Sequence, residues 1–229
     1  MKYSIRVNEV KNMEGNIRGF ATVVFSDSFK VTNIAILENQ EKGTLFVSMP
    51  RYRTNEHDEN GNVYKDICNP ITKEFREELY GNILEAFENL HKQDHEQGRE
   101  KEREEFRTAP DFSVSVTPFE REGSNIKGLA RIFFEDSFIV NNVNILQGKE
   151  SLFVAMPSYK TKQTDENGKP KYQEVCYPVT KEFRDKLYKE IISSYEWEVQ
   201  QQRKNNNNQR EQHKQTGRQN SYGEKRSFR

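Results

Sequence analysis

Residues 68–76 read CNPITKEFR, and residues 176–184 read CYPVTKEFR. In both stretches a proline precedes a threonine, and polar residues follow the threonine. A threonine in this place caps the first turn of a helix. Beyond the first copy, apolar residues recur at the spacing of one helical face: Phe75, Leu79, Ile83, Leu84 and Phe87. The stretch therefore predicts an amphipathic helix that starts near the threonine in each half of the chain.

Other motifs also occur twice and in the same order. They are GFA at 19–21 and GLA at 128–130, DSF at 27–29 and 136–138, LFVSMP at 45–50 and LFVAMP at 152–157, and DENG at 58–61 and 165–168. These ordered matches indicate an internal duplication, and two units are too few for a solenoid. We therefore expect an intramolecular pseudo-dimer whose equivalent surfaces face each other across a rough two-fold axis. If sheet edges remain free in this pair, two chains could associate further into a homo-oligomer.

Each repeat has the pattern of a small antiparallel sheet followed by one helix. Tyr3, Ile5 and Val7 alternate with polar residues, as in a half-buried strand. The strands predicted for the first repeat are 3–7, 17–25, 29–37, 45–47 and 63–67. The second repeat follows the same plan. The predicted fold class is therefore α+β, with two tandem modules that each end in a helix.

Polar segments separate the two modules from each other and from the C-terminus. We predict modules at 1–90 and 111–202, with a charged, partly helical linker at 91–110. The tail at 203–229 is basic and of low complexity, and we expect it to be disordered.

The charge of the chain is balanced overall but unevenly distributed. It has 36 basic and 36 acidic side chains, yet from Gln200 onward eight basic residues stand against two acidic ones. A basic tail on near-neutral modules is found in polyanion-binding proteins and in inert solubilising tails alike. The two cysteines suit a reducing compartment, and no run is long and apolar enough to cross a membrane. We expect a cytoplasmic protein without membrane contact.

These motifs resemble the bacterial SpoVG family (stage V sporulation protein G). The most specific stretch is LFVAMPS at 152–158, and the similarity extends over 5–87 and 114–195. The resemblance implies a small α+β fold that dimerises through its sheet. It also implies a non-enzymatic regulator that binds DNA or RNA, with links to septation, sporulation or gene regulation.

In the SpoVG family, basic residues after Met-Pro and around the next hairpin carry nucleic-acid binding. The resemblance therefore implies candidate contacts at Arg51, Arg53, Thr54 and Lys65, and at Lys160, Thr161, Lys162, Lys169 and Lys171. The tail adds Arg203, Lys204 and Arg210 as an accessory arm. Tyr52 and Tyr159 stand where the family often has a second basic residue. Their rings still favour binding, because bases stack on aromatic side chains.

Acidic residues in the hairpin loops oppose this interpretation. They are Glu56, Asp58 and Glu59 in the first repeat, and Asp165 and Glu166 in the second. Carboxylates that face the same groove repel phosphate, so the lysine-rich second repeat is the better candidate. The alternative is a protein–protein adaptor built on the same fused pair, without nucleic-acid binding.

The sequence carries no repeated catalytic chemistry. Cys68 and Cys176 occupy matching positions, but the four histidines have no counterparts in the other repeat. A nucleophilic thiol needs a nearby base, so we interpret the cysteines as buried apolar thiols. His91 and His95 have metal-ligand spacing on a helix, but no repeated third ligand accompanies them. We therefore predict no enzyme activity, no metal and no cofactor.

Overall fold

The computed structural model describes residues 1–10, 15–59, 61–92, 108–119 and 122–223, with the backbone alone at 91–92 and 206–223. Within these residues the first repeat forms β1 (Tyr3–Glu9), β2 (Ile17–Phe25), β3 (Phe29–Glu38), β4 (Leu45–Ser48), β5 (Arg51–Asp58), β6 (Gly61–Asp66), β7 (Cys68–Pro70) and α1 (Lys73–Lys92). The second forms β8 (Phe112–Pro118), β9 (Ile126–Phe134), β10 (Phe138–Gln147), β11 (Leu152–Ala155), β12 (Ser158–Thr164), β13 (Pro170–Glu174), β14 (Cys176–Pro178) and α2 (Lys181–Gly223). The predicted α+β class is confirmed, with the sheet before the helix in both repeats.

The two repeats exchange short strands. Strands β1 to β4 form an antiparallel sheet, and β14 of the second repeat joins it beside β3. In return, β7 joins the sheet of β8 to β11 beside β10. The two registers are equivalent, because Cys176 lies opposite Val31 and Cys68 lies opposite Val140. The predicted pseudo-dimer is thus confirmed.

A tight turn between β2 and β3 fixes the contact between the repeats. Ser26 and Asp27 have φ of 43° and 51°, which gives the turn the twist that a two-strand hairpin needs. The carbonyl oxygen of Ser28 accepts a hydrogen bond of 2.8 Å from the N–H of Val179 in the other repeat. The reciprocal bond, to the carbonyl of Ser137, is also 2.8 Å long. Each strained turn is therefore held by its partner repeat.

Apolar side chains from both repeats form one hydrophobic core. The ring centres of Phe25 and Phe138 are 4.9 Å apart, and those of Phe29 and Phe134 are 4.7 Å apart. All four rings are buried. Modules of this size bury too little surface alone for high stability, so sharing a core supports both.

Both helices begin as predicted. The Thr72 hydroxyl accepts a 3.3 Å hydrogen bond from the N–H of Phe75, and Thr180 makes the same 3.3 Å bond with Phe183. At its other end, α2 continues to Gly223, through a segment for which the sequence predicted disorder. That segment contains no proline, and its Gln, Lys and Arg residues favour helix, although its five Asn residues do not. The predicted helical part of the linker at 93–107 lies outside the described residues.

Candidate nucleic-acid interface

Each repeat forms a two-stranded hairpin that belongs to neither main sheet. Strand β5 pairs with β6, and β12 pairs with β13. At the base of each hairpin a proline carbonyl, of Pro50 or Pro157, accepts a 2.8 Å hydrogen bond from a residue that follows the second strand. Most residues along both hairpins are exposed, and every residue of β13 is. The hairpin residues that the family resemblance singles out lie on or beside these strands.

A bulge in the first strand of each hairpin engages the two candidate threonines. The Thr54 hydroxyl donates to the carbonyl of Val63 at 3.0 Å and accepts from the N–H of Glu56 at 3.1 Å. The Thr161 hydroxyl donates to the carbonyl of Lys171 at 3.1 Å and accepts from the amide two residues on at 3.2 Å. Both hydroxyls therefore hold the shape of the hairpin.

The register of the hairpins places a cation opposite a tyrosine in both repeats. Arg53 lies opposite Tyr64, and Lys160 lies opposite Tyr172. Residues directly opposite in an antiparallel pair share one face. Tyr64 and Tyr172 are 56% and 66% exposed, so each ring offers a free surface beside a positive charge. These two tyrosines were not among the residues predicted from the sequence, because the bulge decides which residue lies opposite each of them.

Two of the three cations on the first hairpin form ion pairs with carboxylates. Arg51 Nε lies 3.0 Å from Asp66 Oδ1, and Lys65 Nζ lies 3.1 Å from Glu56 Oε2. Exposed pairs of this kind add little stability, but they place a carboxylate where a phosphate would bind. Arg53 makes no ion pair with any residue that the structure describes.

The second hairpin has lost both of these ion pairs. Ser158 and Gln173 occupy the places of Arg51 and Lys65. Residues 158–174 contain four lysines against three acidic residues, whereas 51–66 contain three basic and four acidic residues. Among the described residues, no acidic partner pairs with these lysines: Lys160, Lys162, Lys169 and Lys171.

The loop carboxylate of Asp165 is engaged within its own turn. Its Oδ1 accepts hydrogen bonds from the N–H groups of Asn167 at 2.9 Å and Lys169 at 2.8 Å. An aspartate held in this way shapes the turn.

The remaining candidates are the tyrosines Tyr52 and Tyr159 and three basic residues of α2. Tyr52 packs against the hydrophobic core, whereas Tyr159 is 39% exposed and donates a hydrogen bond to Gln173. Arg203 and Lys204 are exposed on α2. Arg210 lies in the part of α2 for which only the backbone is described.

The cysteines lie where the exchanged strands enter the core. Cys68 and Cys176 are fully buried, as predicted. Burial raises the pKa of Cys68 well above its ordinary value, and a hydrogen bond with Cys176 raises it further. A thiol with a raised pKa is a poor nucleophile at neutral pH.

Neither a metal-ligand cluster nor a membrane-spanning helix is found in the described part of the chain. No three His, Cys, Asp or Glu side chains there are grouped to hold an ion. Neither described helix carries an apolar stretch that would cross a bilayer. The His91 side chain and all of His95 lie outside the described residues.

Comparisons with known proteins match both repeats to one family. The SpoVG family model matches residues 1–89 and 111–197. A relative from Treponema denticola is 35% identical over 74 residues, which cover 32% of this chain and 73% of the relative. One from Caldicellulosiruptor saccharolyticus is 30% identical over 83 residues, 36% of this chain and 86% of the relative. Both relatives bear the name septation protein SpoVG. Each alignment has the length of one repeat.

Proposed function

This chain belongs to the SpoVG family, and on that premise we propose that it is a non-enzymatic regulator that binds single-stranded segments of DNA or RNA through its two hairpins. The observation that carries the proposal is the exposed cation–tyrosine pair, present once on each hairpin: Arg53 with Tyr64, and Lys160 with Tyr172.

Each pair offers both parts of a nucleotide a partner. A cation attracts the phosphate, which supplies most sequence-independent affinity. An exposed tyrosine ring stacks on an unpaired base, which is worth about 1–3 kcal/mol per base. A base can stack on such a ring only when it is free of its own duplex. The arrangement therefore favours single strands over double helices.

The second hairpin is the stronger contact in this proposal. Its lysines are free of ion pairs within the described structure, whereas carboxylates occupy Arg51 and Lys65 on the first hairpin. The first hairpin then adds a weaker contact within the same body. Two linked contacts on one strand raise the affinity above that of either one.

The names of the relatives support a cellular role for this chain. Relatives named for septation align with a stretch of one repeat's length, which supports placing this chain among cytoplasmic regulators of division or gene expression. Arg203 and Lys204 on α2 are exposed and add two further cations to the proposal.

Fluorescence anisotropy with a labelled oligonucleotide of mixed sequence tests the proposal. The full chain is titrated against single-stranded DNA, single-stranded RNA and duplex DNA from about 50 to 200 mM salt. Changing Tyr64 and Tyr172 together to alanine should weaken single-strand binding about tenfold or more, from the loss of stacking. The matched change of both to phenylalanine keeps the rings and should bind nearly as the wild type. No binding by the wild type at low salt, or an alanine variant equal to the wild type, would refute the proposal.

One feature favours a protein–protein adaptor as the second candidate. Trp197 of α2 is 57% exposed and lines a groove of about 450 Å³ beside the edge strand β8. An exposed tryptophan next to an edge strand is typical of a protein-binding surface. Recovery of one defined protein partner after nuclease treatment, lost on Trp197→Ala, would decide for the adaptor if no nucleic acid binds.

A further inference from the structure

The outward face of the first sheet carries a cationic cleft. Val23 and Val31 face the core, so the residues that alternate with them on β2 and β3 point away from it. On that side, Arg6, Lys30 and Tyr177 help to line a cleft of about 320 Å³. Its other lining residues are hydroxyl, amide and valine side chains, and no carboxylate lines it.

The cleft crosses four strands, and the last of them comes from the other repeat. Ser4 lies opposite Val24, Val24 opposite Lys30, and Lys30 opposite Tyr177 of the exchanged strand β14. The Lys30 ammonium lies 5.7 Å from the centre of the Tyr177 ring, which holds the cation in place. The complete cleft therefore exists only when the two repeats are paired.

Its two cations are available to a ligand. Neither Arg6 nor Lys30 forms an ion pair with another described residue. Arg6 is exposed and lies opposite Thr22, whose hydroxyl also lines the cleft. A cluster of positive charge and hydroxyl groups without a carboxylate complements a phosphate.

The second sheet shows that the fold does not require these charges. The equivalent row there reads Ser113, Phe133, Ile139 and Asn69. Isoleucine thus replaces Lys30, and asparagine replaces Tyr177. Ser115 stands in the place of Arg6, and one cation, Arg131, stands in the place of Thr22. The cationic cleft is specific to the first sheet.

Aromatic surface continues from the cleft along the same face. Phe20 follows Thr22 in alternation on β2 and is 37% exposed. Phe46 on β4 lies opposite Leu37 and is 42% exposed. A positively charged groove with aromatic rings beside it is typical of surfaces that bind single-stranded nucleic acids.

We propose that the outward face of the first sheet is a second binding surface for single-stranded nucleic acid, separate from the hairpins. Arg6 and Lys30 contact phosphates in the cleft, and Phe20 stacks on an unpaired base beside it. The inference takes its class of ligand from the proposed function, but it assigns a different surface.

The test compares two charge-neutralised variants of the full chain by anisotropy with labelled single-stranded DNA. Arg6→Gln with Lys30→Gln removes two phosphate contacts, so the salt slope should fall by about 1.4. The affinity at low salt should fall about five- to tenfold. Arg131→Gln, on the equivalent face of the second sheet, is the matched control and should bind as the wild type. Thermal unfolding of each variant verifies that the fold is retained.

The outcomes separate this surface from the hairpins. If hairpin variants weaken binding and Arg6→Gln with Lys30→Gln does not, the cleft is not a contact and the proposed function stands. If only the cleft variant weakens binding, the sheet face stands and the hairpin assignment fails. Photo-crosslinking adds a readout that does not depend on affinity: a crosslink to β2 at Phe20 supports the surface, and its absence alongside a hairpin crosslink overturns it.

Discussion

The ring of Phe87 in α1 fills the space that a side chain at Gly19 in β2 would need. A Cβ at residue 19 would lie 2.6 Å from that ring and 2.7 Å from the carbonyl oxygen of Asn8. Neither distance is compatible with a real contact. The glycine of the repeated GFA motif therefore allows the helix to approach the sheet. In the second repeat, Tyr195 lies in the same way 3.0 Å from a Cβ at Gly128.

Gly19→Ala should lower the free energy of unfolding by about 1–3 kcal/mol, because the helix or the strand must move. Urea unfolding followed by circular dichroism measures the change. Gly81→Ala in α1 is the matched control, since a Cβ there would contact nothing within 4 Å. Removing this helical glycine should stabilise the chain by about 0.5–1 kcal/mol. Equal stability of the two variants would contradict the packing that we describe.

Tyr3 gives the stability a specific dependence on alkaline pH. Its hydroxyl donates to Glu78 at 2.8 Å and accepts from Asn82 at 2.8 Å. Burial and the hydrogen bond to Glu78 raise the pKa of Tyr3 to about 12. A raised pKa means that folding favours the neutral phenol. This contribution is complete below pH 10, the ordinary pKa, and is lost as the pH rises through 12.

Tyr3→Phe should therefore make the loss of stability between pH 10 and 12 shallower. Free energies of unfolding measured over this interval check the slope. The second repeat supplies a natural precedent, since Phe112 takes the place of Tyr3 and Lys186 lies 5.4 Å from its ring centre. Parallel pH profiles for the wild type and Tyr3→Phe would rule out the role of this phenol.

The ion pairs on the first hairpin predict unequal effects of cation removal. Lys160→Ala with Lys162→Ala should lower the salt slope for single-stranded DNA by about 1.4. Arg51→Ala with Lys65→Ala should lower it less, because Asp66 and Glu56 already neutralise these cations. The same anisotropy series measures both.

Glu56→Gln tests the idea from the opposite side. It frees Lys65 and should raise the affinity about two- to threefold at low salt, within the range of an exposed ion pair. Equal effects of the two double variants, together with no gain from Glu56→Gln, would show that the carboxylates do not limit binding.

The shared core predicts that the two repeats unfold together. Phe138→Ala removes a buried ring that packs on Phe25 of the other repeat, and it should cost about 3–5 kcal/mol. Calorimetry should still show one transition, at a lower temperature. Phe153→Ala, at a ring that is 46% exposed, is the control and should change the midpoint little. Two separate transitions, with one of them unchanged, would contradict a common core.

Local sequence patterns predicted the main elements of each repeat. The duplicated threonines identify the helix starts, and both caps are present. The exchanged strands were not predicted, since the last strand predicted for the first repeat ends at residue 67. Strands β7 and β14 are three residues long and contain a proline, and their partners lie in the other repeat. The periodicity of a short stretch of sequence cannot predict a pairing with a strand of the other repeat.

The candidate contacts were predicted less completely than the fold. Family resemblance singled out the cations at 51–53 and 160–162, which lie on exposed strands. It did not single out Tyr64 and Tyr172, because a bulge decides which residue lies opposite each cation. Nor did charge patterns distinguish Arg51, which is ion-paired, from Arg53. Register and pairing are properties of the folded chain.

The reciprocal exchange of β7 and β14 changes the kind of equilibrium that holds the halves together. Two separate modules would associate in a concentration-dependent step, and dilution would part them. Here the same contacts form within one polypeptide, so assembly of the pair is a folding event with a fixed effective concentration. The pair therefore stays assembled at copy numbers at which free modules would have dissociated.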